Sequence, residues 1–397
     1  MNSFIIYNAT IITPNEVIEK ASLLVEDGVI ASIDRANILS DNDCDLIDAQ
    51  GAMLMPGIID IHTDALDAEI IPRPGADIPV AIAFRELERK MSGCGFTTVY
   101  HSLHMGYEVA ELHSRSKYTR SEVFDTVHRS SIGQTLLNNK IHLRYELSGV
   151  YSYDAVIELI DKGYVSMLSV MDHTPGQGQY PKPVFMAQML KQGKTEEQAL
   201  EEYEERISRP KISGEKLEAL IQHAVKKGIA VASHDDDTVE KVNLMHGMGV
   251  NICEFPINLE TAEHAINLGM HVVGGASNIL RGGSLTGNAS MTEAVTKGVV
   301  DTLCSDYYPP AILHSIFKLH QQEGLTLPDA VKLASLHPAK AAGIGNQTGS
   351  IEEGKDADLL IVRMVDNIPM VTHTIVRGNV VSQAALKAPE EKFQTAF

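Results

Sequence analysis

In five stretches of this 397-residue chain, an apolar run ends in side chains that can ligate metals or move protons. They are Ile58-Ile59-Asp60-Ile61-His62-Thr63-Asp64, Ile141-His142-Leu143-Arg144-Tyr145-Glu146, Met171-Asp172-His173, Val231-Ala232-Ser233-His234-Asp235-Asp236-Asp237 and Leu303-Cys304-Ser305-Asp306. His62 and Asp64 stand two apart on what reads as an extended strand, so both side chains point to one side. One strand then supplies two ligands to a metal pair. His234 and Asp306 follow apolar runs in the same way. The plainer readings of these two are a satisfied strand-end histidine and an N-cap ahead of the segment at Pro309. Glu146 reads as a ligand in competition with a structural ion pair to Arg144 or Lys140. His173 opens a Gly/Pro-rich stretch, Thr174-Pro175-Gly176-Gln177-Gly178-Gln179, and a metal or binding role competes there with a plain turn. Glu254, in Cys253-Glu254-Phe255-Pro256, is balanced between ligand and structural residue. Imidazoles with several carboxylates suit one or two divalent ions, Zn²⁺ first, with Mn²⁺, Mg²⁺, Fe or Ni as alternatives. Such ions lower the pKa of a bound water and offset charge on a carbonyl or phosphoryl oxygen. Asp306 is placed to take that water's proton.

Two further segments point to an anionic substrate. Pro72-Arg73-Pro74-Gly75 follows the first of these strands, and Asn278-Ile279-Leu280-Arg281-Gly282-Gly283-Ser284-Leu285-Thr286-Gly287-Asn288 follows the seventh; both read as loops at a common mouth. Arg73 and Arg281 can form bidentate contacts with phosphate, and Gly282-Gly283 frees backbone N–H groups to approach an oxyanion. Tyr307 and Tyr308, beside Asp306, line the pocket or pack at its rim. The chain as a whole is acidic, 33 Lys+Arg against 52 Asp+Glu for a net charge of −19. A nucleic-acid binder built on bulk positive charge is therefore excluded. The acidic run Glu196 to Glu205 reads as a solvated helix face, and the other histidines, His101 and His113 among them, show no spacing that forces a shared site.

These groups need a scaffold that brings many strand ends to one place. Short apolar runs, each followed by helical periodicity, repeat eight times, with strands ending near His62, His101, Leu147, Asp172, His234, Phe255, Ala276 and Asp306. Helices are predicted over Val80 to Ser92, Asp154 to Lys162, Glu196 to Ile207, Lys216 to Lys227, Thr261 to Leu268 and Pro328 to Ser335. This is the pattern of a (β/α)8 barrel, whose strands all present their C-terminal ends at one mouth. A doubly wound sheet is the alternative, but no G-x-G-x-x-G opens it. Short β-type runs at both chain ends predict a small antiparallel sheet, a β-sandwich domain built from residues 1–55 and 347–397 around a barrel at 56–346. Four scattered cysteines, Cys44, Cys94, Cys253 and Cys304, without a CxxC pair, fit reduced thiols in a cytoplasm. The first residues lack the basic region and apolar core of a signal peptide, and no 18-residue apolar run offers a membrane span. The size of the barrel suggests a homodimer by analogy alone.

The strand Pro56-Gly57-Ile58-Ile59-Asp60-Ile61-His62 and the exit Gly354-Lys355-Asp356-Ala357-Asp358-Leu359, with strands at both ends, resemble the amidohydrolase superfamily of metal-dependent (β/α)8 barrels. The resemblance spans nearly the whole chain and is closest to a branch that acts in phosphonate breakdown. It runs through His62-Thr63-Asp64, Pro72-Arg73-Pro74, His142 to Glu146, Met171-Asp172-His173, Ser233 to Asp236, Glu254-Phe255-Pro256, Asn278 with Arg281 to Ser284, and Ser305 to Pro309. It implies hydrolysis of α-D-ribose 1-methylphosphonate 5-triphosphate to the 5-phosphate and pyrophosphate, ahead of carbon–phosphorus cleavage. It also implies metal ligands among His62, Asp64, Glu146, His173, His234 and Asp306, and substrate contacts from Arg73, Arg144, Asn278, Arg281, Gly282, Gly283 and Tyr307. The superfamily usually carries His-x-His after the first strand and a histidine after the sixth. Asp64 and Glu254 stand there instead, which argues against an ordinary deaminase or amide hydrolase. Leu285 stands where a histidine is half expected, and no role is carried over to it. The rival expectations are hydrolysis of a C–N bond, in a cyclic amide or N-acetyl sugar, and a relative that binds phosphorylated ligands without turnover.

Overall fold

The two chain ends meet in one sheet because each supplies strands that are apolar on one face. A computed structural model describes residues 3–35, 44–106, 117–176, 181–283 and 290–387. The N-terminal strands are β1 (Phe4–Ile12), β2 (Val17–Glu26), β3 (Val29–Asp34), β4 (Asp45–Asp48) and β5 (Met53–Pro56). After eight barrel strands within residues 58–304 come β14 (Leu359–Val365), β15 (Ile368–Val376) and β16 (Asn379–Gln383). The sheet runs β16-β15-β14-β5-β1-β2-β3, with β4 also on β1. It is mixed rather than antiparallel as the sequence predicted. β4 and β5 lie end to end along one edge of β1 and parallel to it, Phe4 to Tyr7 opposite Asp45 to Asp48 and Thr10-Ile11 opposite Met53-Leu54. Ile6, Ile11, Leu23, Ile30, Leu54, Leu359 and Ile361 form its core.

Only Gly57 separates β5 from the barrel. A Cβ there would fall 2.1 Å from Thr97 Oγ1, so no larger residue fits without displacing the next strand. Its N–H bonds Asp358 O at 2.8 Å, tying the entry of the barrel to the chain's exit from it.

The barrel strands are β6 (Ile58–Thr63), β7 (Phe96–Met105), β8 (Asn138–Glu146), β9 (Met167–Met171), β10 (Ala230–His234), β11 (Ile252–Glu254), β12 (His271–Gly275) and β13 (Thr302–Cys304). All neighbours are parallel and follow chain order, and a parallel bridge between Thr63 and Asp306 closes β13 onto β6. β7 runs past its predicted end at His101 because it keeps pairing with β8 as far as Met105 opposite Tyr145. Helices cover the outside through apolar stripes, such as Leu217, Leu220, Ile221 and Ala224 on Gly214–Lys226. The six predicted helices form within a few residues of their expected bounds. Asn278 to Arg281 is a short helix, Ala276–Arg281, and not the predicted loop: the chain winds directly from β12, and Gly282 ends the turn with φ +78°. Among the described residues no helix is long and apolar enough to cross a membrane.

Candidate metal centre

The barrel's closing seam carries the first cluster. Asp306 follows β13 in left-handed backbone, φ 61°, a conformation that Asp tolerates better than most residues. Its N–H bonds His62 O at 3.1 Å, and its carbonyl accepts the Asp64 N–H at 2.7 Å. The seam thus fixes Asp306 against the strand that bears His62 and Asp64, and these three offer ligand atoms within 4.8 Å of one another. His62 is buried, with its ring edge-on to Phe255. Its Nδ1 lies 3.0 Å from Glu254 Oε1, while the other Glu254 oxygen accepts from the Ser169 hydroxyl. Asp60, behind it, takes the backbone N–H groups of His62 and Ser305 on one oxygen, 3.3 and 3.1 Å away.

The second cluster gathers at the ends of β8 to β11. His234 closes β10, and Asp235 follows with φ 52°. The left-handed turn breaks the alternation of the strand, so both side chains reach the same centre. Asp235 carboxylate oxygens stand 3.2 Å from His234 Nδ1 and 3.6 Å from His173 Nε2. Glu146 orients His173, accepting its backbone N–H at 2.9 Å and its Nδ1 at 2.7 Å. His173, His234 and Asp235 form one ligand group, and His62, His234 and Glu254 another. Lys241 supports the turn from outside: its ammonium donates to the carbonyls of His234 and Asp235 at 2.9 and 3.2 Å and sits 3.1 Å from Asp236 Oδ1.

Charge in this centre is held by mutual pairing. Burial alone would lower the pKa of His62, but the Glu254 carboxylate outweighs it and keeps the imidazole above its usual value. Burial would raise Glu254, yet His62 and His142 hold it far below the carboxylate range. His173 reaches about 9 against its burial because the Asp235 and Glu146 carboxylates flank its two ring nitrogens. Burial raises Asp306, and it pushes Asp60 up to about 6. The residues fit a divalent cation. His234 Nδ1 and both oxygens of Asp235 are buried without a hydrogen-bond partner among the described residues, which is costly unless something binds them. Imidazole nitrogens and carboxylate oxygens are the donors that Zn²⁺ and similar ions take.

Of the predicted ligands, His62, Asp64 and Asp306 come together, as do His173 and His234. Glu146 holds His173 and joins none of the three ligand groups. Arg144 lies in the centre with Nη1 2.8 and 2.9 Å from the two Asp64 oxygens and Nη2 3.3 Å from His234 Nε2. Arg73 and Arg281 are exposed, Gly282 and Gly283 end the helix that carries half-buried Asn278, and Tyr307 is 49% exposed. Ser284 to Asn288, Gln177 to Gln179 and His113 lie outside the described residues. Asp235 was not singled out from the sequence, although three consecutive aspartates just past a strand were the available signal.

A barrel closed by a seam that carries candidate metal ligands, with imidazoles and carboxylates at the strand ends, defines a class, and the chain belongs to the amidohydrolase family, whose sequence profile matches residues 182–381. It is 34% identical over 386 residues to the α-D-ribose 1-methylphosphonate 5-triphosphate diphosphatase of Escherichia coli K12, covering 94% of this chain and 99% of that one. An imidazolonepropionase of Thermoplasma volcanium is 22% identical, over 88% of this chain and 86% of the relative. Among solved structures, the L-hydantoinase of Arthrobacter aurescens superposes with a TM-score of 0.66 at 18% identity, over 98% of each chain, and shares the fold.

Proposed function

We propose that this enzyme hydrolyses α-D-ribose 1-methylphosphonate 5-triphosphate to the 5-phosphate and pyrophosphate in a cytoplasm, using one or two divalent ions, with Zn²⁺ best suited to the donors. The observation that carries this reading is near-full-length identity to a diphosphatase of that substrate, in a chain whose divergent ligand positions, Asp64 and Glu254, both face the centre. His62, Asp64 and Asp306 would hold one ion, and His173, His234 and Asp235 the other, with Glu254 between them. Bound there, such ions acidify water and offset charge on phosphoryl oxygens.

The chain's own groups do the rest. Asp306, locked by its two seam hydrogen bonds, accepts the proton of the attacking water. The water oxygen bonds to the phosphorus nearest the ribose as the bond from that phosphorus to the bridging oxygen breaks, and pyrophosphate leaves. Arg144, buried beside Asp64, adds fixed positive charge where phosphoryl charge builds up. Arg73, Asn278, Arg281, Gly282, Gly283 and Tyr307 would contact the substrate's phosphates and phosphonate.

Phosphorus NMR decides it. Protein reconstituted separately with Zn²⁺, Mn²⁺ and Mg²⁺ is given the triphosphate in oxygen-18 water. Pyrophosphate with an isotope-shifted 5-phosphate is expected. No phosphorus release with any metal would overturn the reading and turn attention to cyclic amides and N-acetyl sugars.

A further inference from the structure

Beside the metal centre lies a cavity of about 240 Å³ whose lining includes Glu146, Ser148, His173, Thr174, Arg206 and Arg209. Two arginines and two hydroxyl-bearing residues line it beside one glutamate, and that carboxylate is already committed to His173 through two hydrogen bonds. In a chain of net charge −19, a cavity lined this way is set apart from its surroundings. Both arginines are held in place. Arg206 stacks its guanidinium 5.4 Å from the centroid of Phe185 and pairs with Glu202, and its Nε is buried without a hydrogen-bond partner among the described residues. Arg209 is gripped by both oxygens of Glu205, at 2.9 and 3.0 Å. A braced guanidinium loses little freedom on binding, and its planar, permanently charged head suits a tetrahedral oxyanion. Behind the cavity, Arg120 Nη2 lies 3.4 Å from His104 Nδ1 and adds a third guanidinium at one remove.

The cavity is continuous with the chemistry, because His173 borders it on one side and reaches Asp235 at 3.6 Å on the other. It is smaller than the roughly 300–1,000 Å³ of a pocket that encloses a whole drug-sized ligand, so it suits one end of an extended substrate. We propose that Arg206 and Arg209, with Ser148 and Thr174, form the subsite that seats one anionic end of the substrate, a phosphoryl or phosphonyl group, while the scissile phosphorus lies at the metal centre. This rests on the function proposed above. It assigns substrate recognition to the helix Glu196–Ser208 and the residue just after it, which the sequence marked only as a solvated acidic face.

The test uses Arg206→Gln, Arg209→Gln and the double variant. Melting of each is followed by circular dichroism, so that the single variants decide should the double one not fold. Inorganic pyrophosphate and methylphosphonate are titrated by calorimetry into metal-loaded and chelated protein, and both are assayed as inhibitors of triphosphate turnover. At least a tenfold loss of affinity for one probe in the variants, present with and without metal, is expected. Loss for pyrophosphate assigns the cavity to the leaving end, and loss for methylphosphonate to the phosphonate end. Unchanged affinity for both probes overturns the subsite. The two proposals separate cleanly: wild-type protein that binds a probe through these arginines but releases no pyrophosphate refutes the function and keeps the subsite. Turnover with unaltered probe binding does the reverse.

Discussion

At Asp306 the same residue closes the barrel and joins the His62 and Asp64 group, so a change that keeps its shape isolates the chemistry proposed for it. Asp306→Asn preserves the backbone bonds to His62 and Asp64 but removes the proton acceptor. We expect kcat to fall roughly 10²- to 10⁴-fold while most of the metal, measured by atomic emission, stays bound; undiminished turnover would remove Asp306 as base. Glu254 is the complementary case. Buried between His62 and Ser169, it is expected to matter to metal first, so Glu254→Gln should weaken metal affinity by roughly 10- to 100-fold in competition with a chromophoric chelator. Affinity equal to wild type would take Glu254 out of the centre. These single residues also mark what the sequence could and could not convey. The spacing of His62 and Asp64 announces a shared face, and the structure groups them with Asp306. Asp235 escapes such reasoning, because strict alternation turns it away from His234, and only its left-handed backbone brings it back.

Among the barrel strands, three ends share that device: Asp235, Phe255 and Asp306 each have positive φ directly after β10, β11 and just past β13. Such backbone is sparsely populated and persists only where its surroundings enforce it. For Asp235 the enforcing group is Lys241, whose ammonium binds both carbonyls of the turn and the carboxylate of Asp236. Lys241→Met keeps the length of the stem but removes these bonds. Metal affinity should drop by about tenfold or more, while far-ultraviolet circular dichroism stays unchanged; intact affinity would show that the turn holds itself. Apolar runs and helical stripes made the order of the strands legible, because burial of one face is a local property of sequence. The parallel placement of β4 and β5 was not legible, since it depends on which edge of β1 the returning chain reaches. Nor was the helical turn at Asn278, where no cap residue announces a start and the side chains that decide it belong to neighbouring helices.

Across the whole molecule, the two sheets are joined at Asp358, which precedes β14. Its carboxylate accepts the Arg377 N–H at 2.9 Å, the Thr348 hydroxyl at 2.8 Å and Asn138 Nδ2 at 3.4 Å, from the terminal sheet, the link to it and barrel strand β8. Burial outweighs these donors and lifts its pKa from 3.8 to about 6. The folded chain therefore binds this proton more tightly than the unfolded chain does, and between those two values stability falls as pH rises. Protonated Asp358 gives the fold its full benefit below the unfolded value, and the benefit is gone once pH passes the folded one. Asp358→Asn removes the titration but keeps an acceptor for Arg377, with Thr348 and Asn138 turning to receive the new amide. Urea unfolding of chelated protein at pH 5 and pH 7 should show wild type losing about 1 kcal/mol more than the variant over that interval. Equal losses would mean that the junction carboxylate is ionised throughout, and that its three donors, rather than its burial, govern how the terminal sheet is held to the barrel.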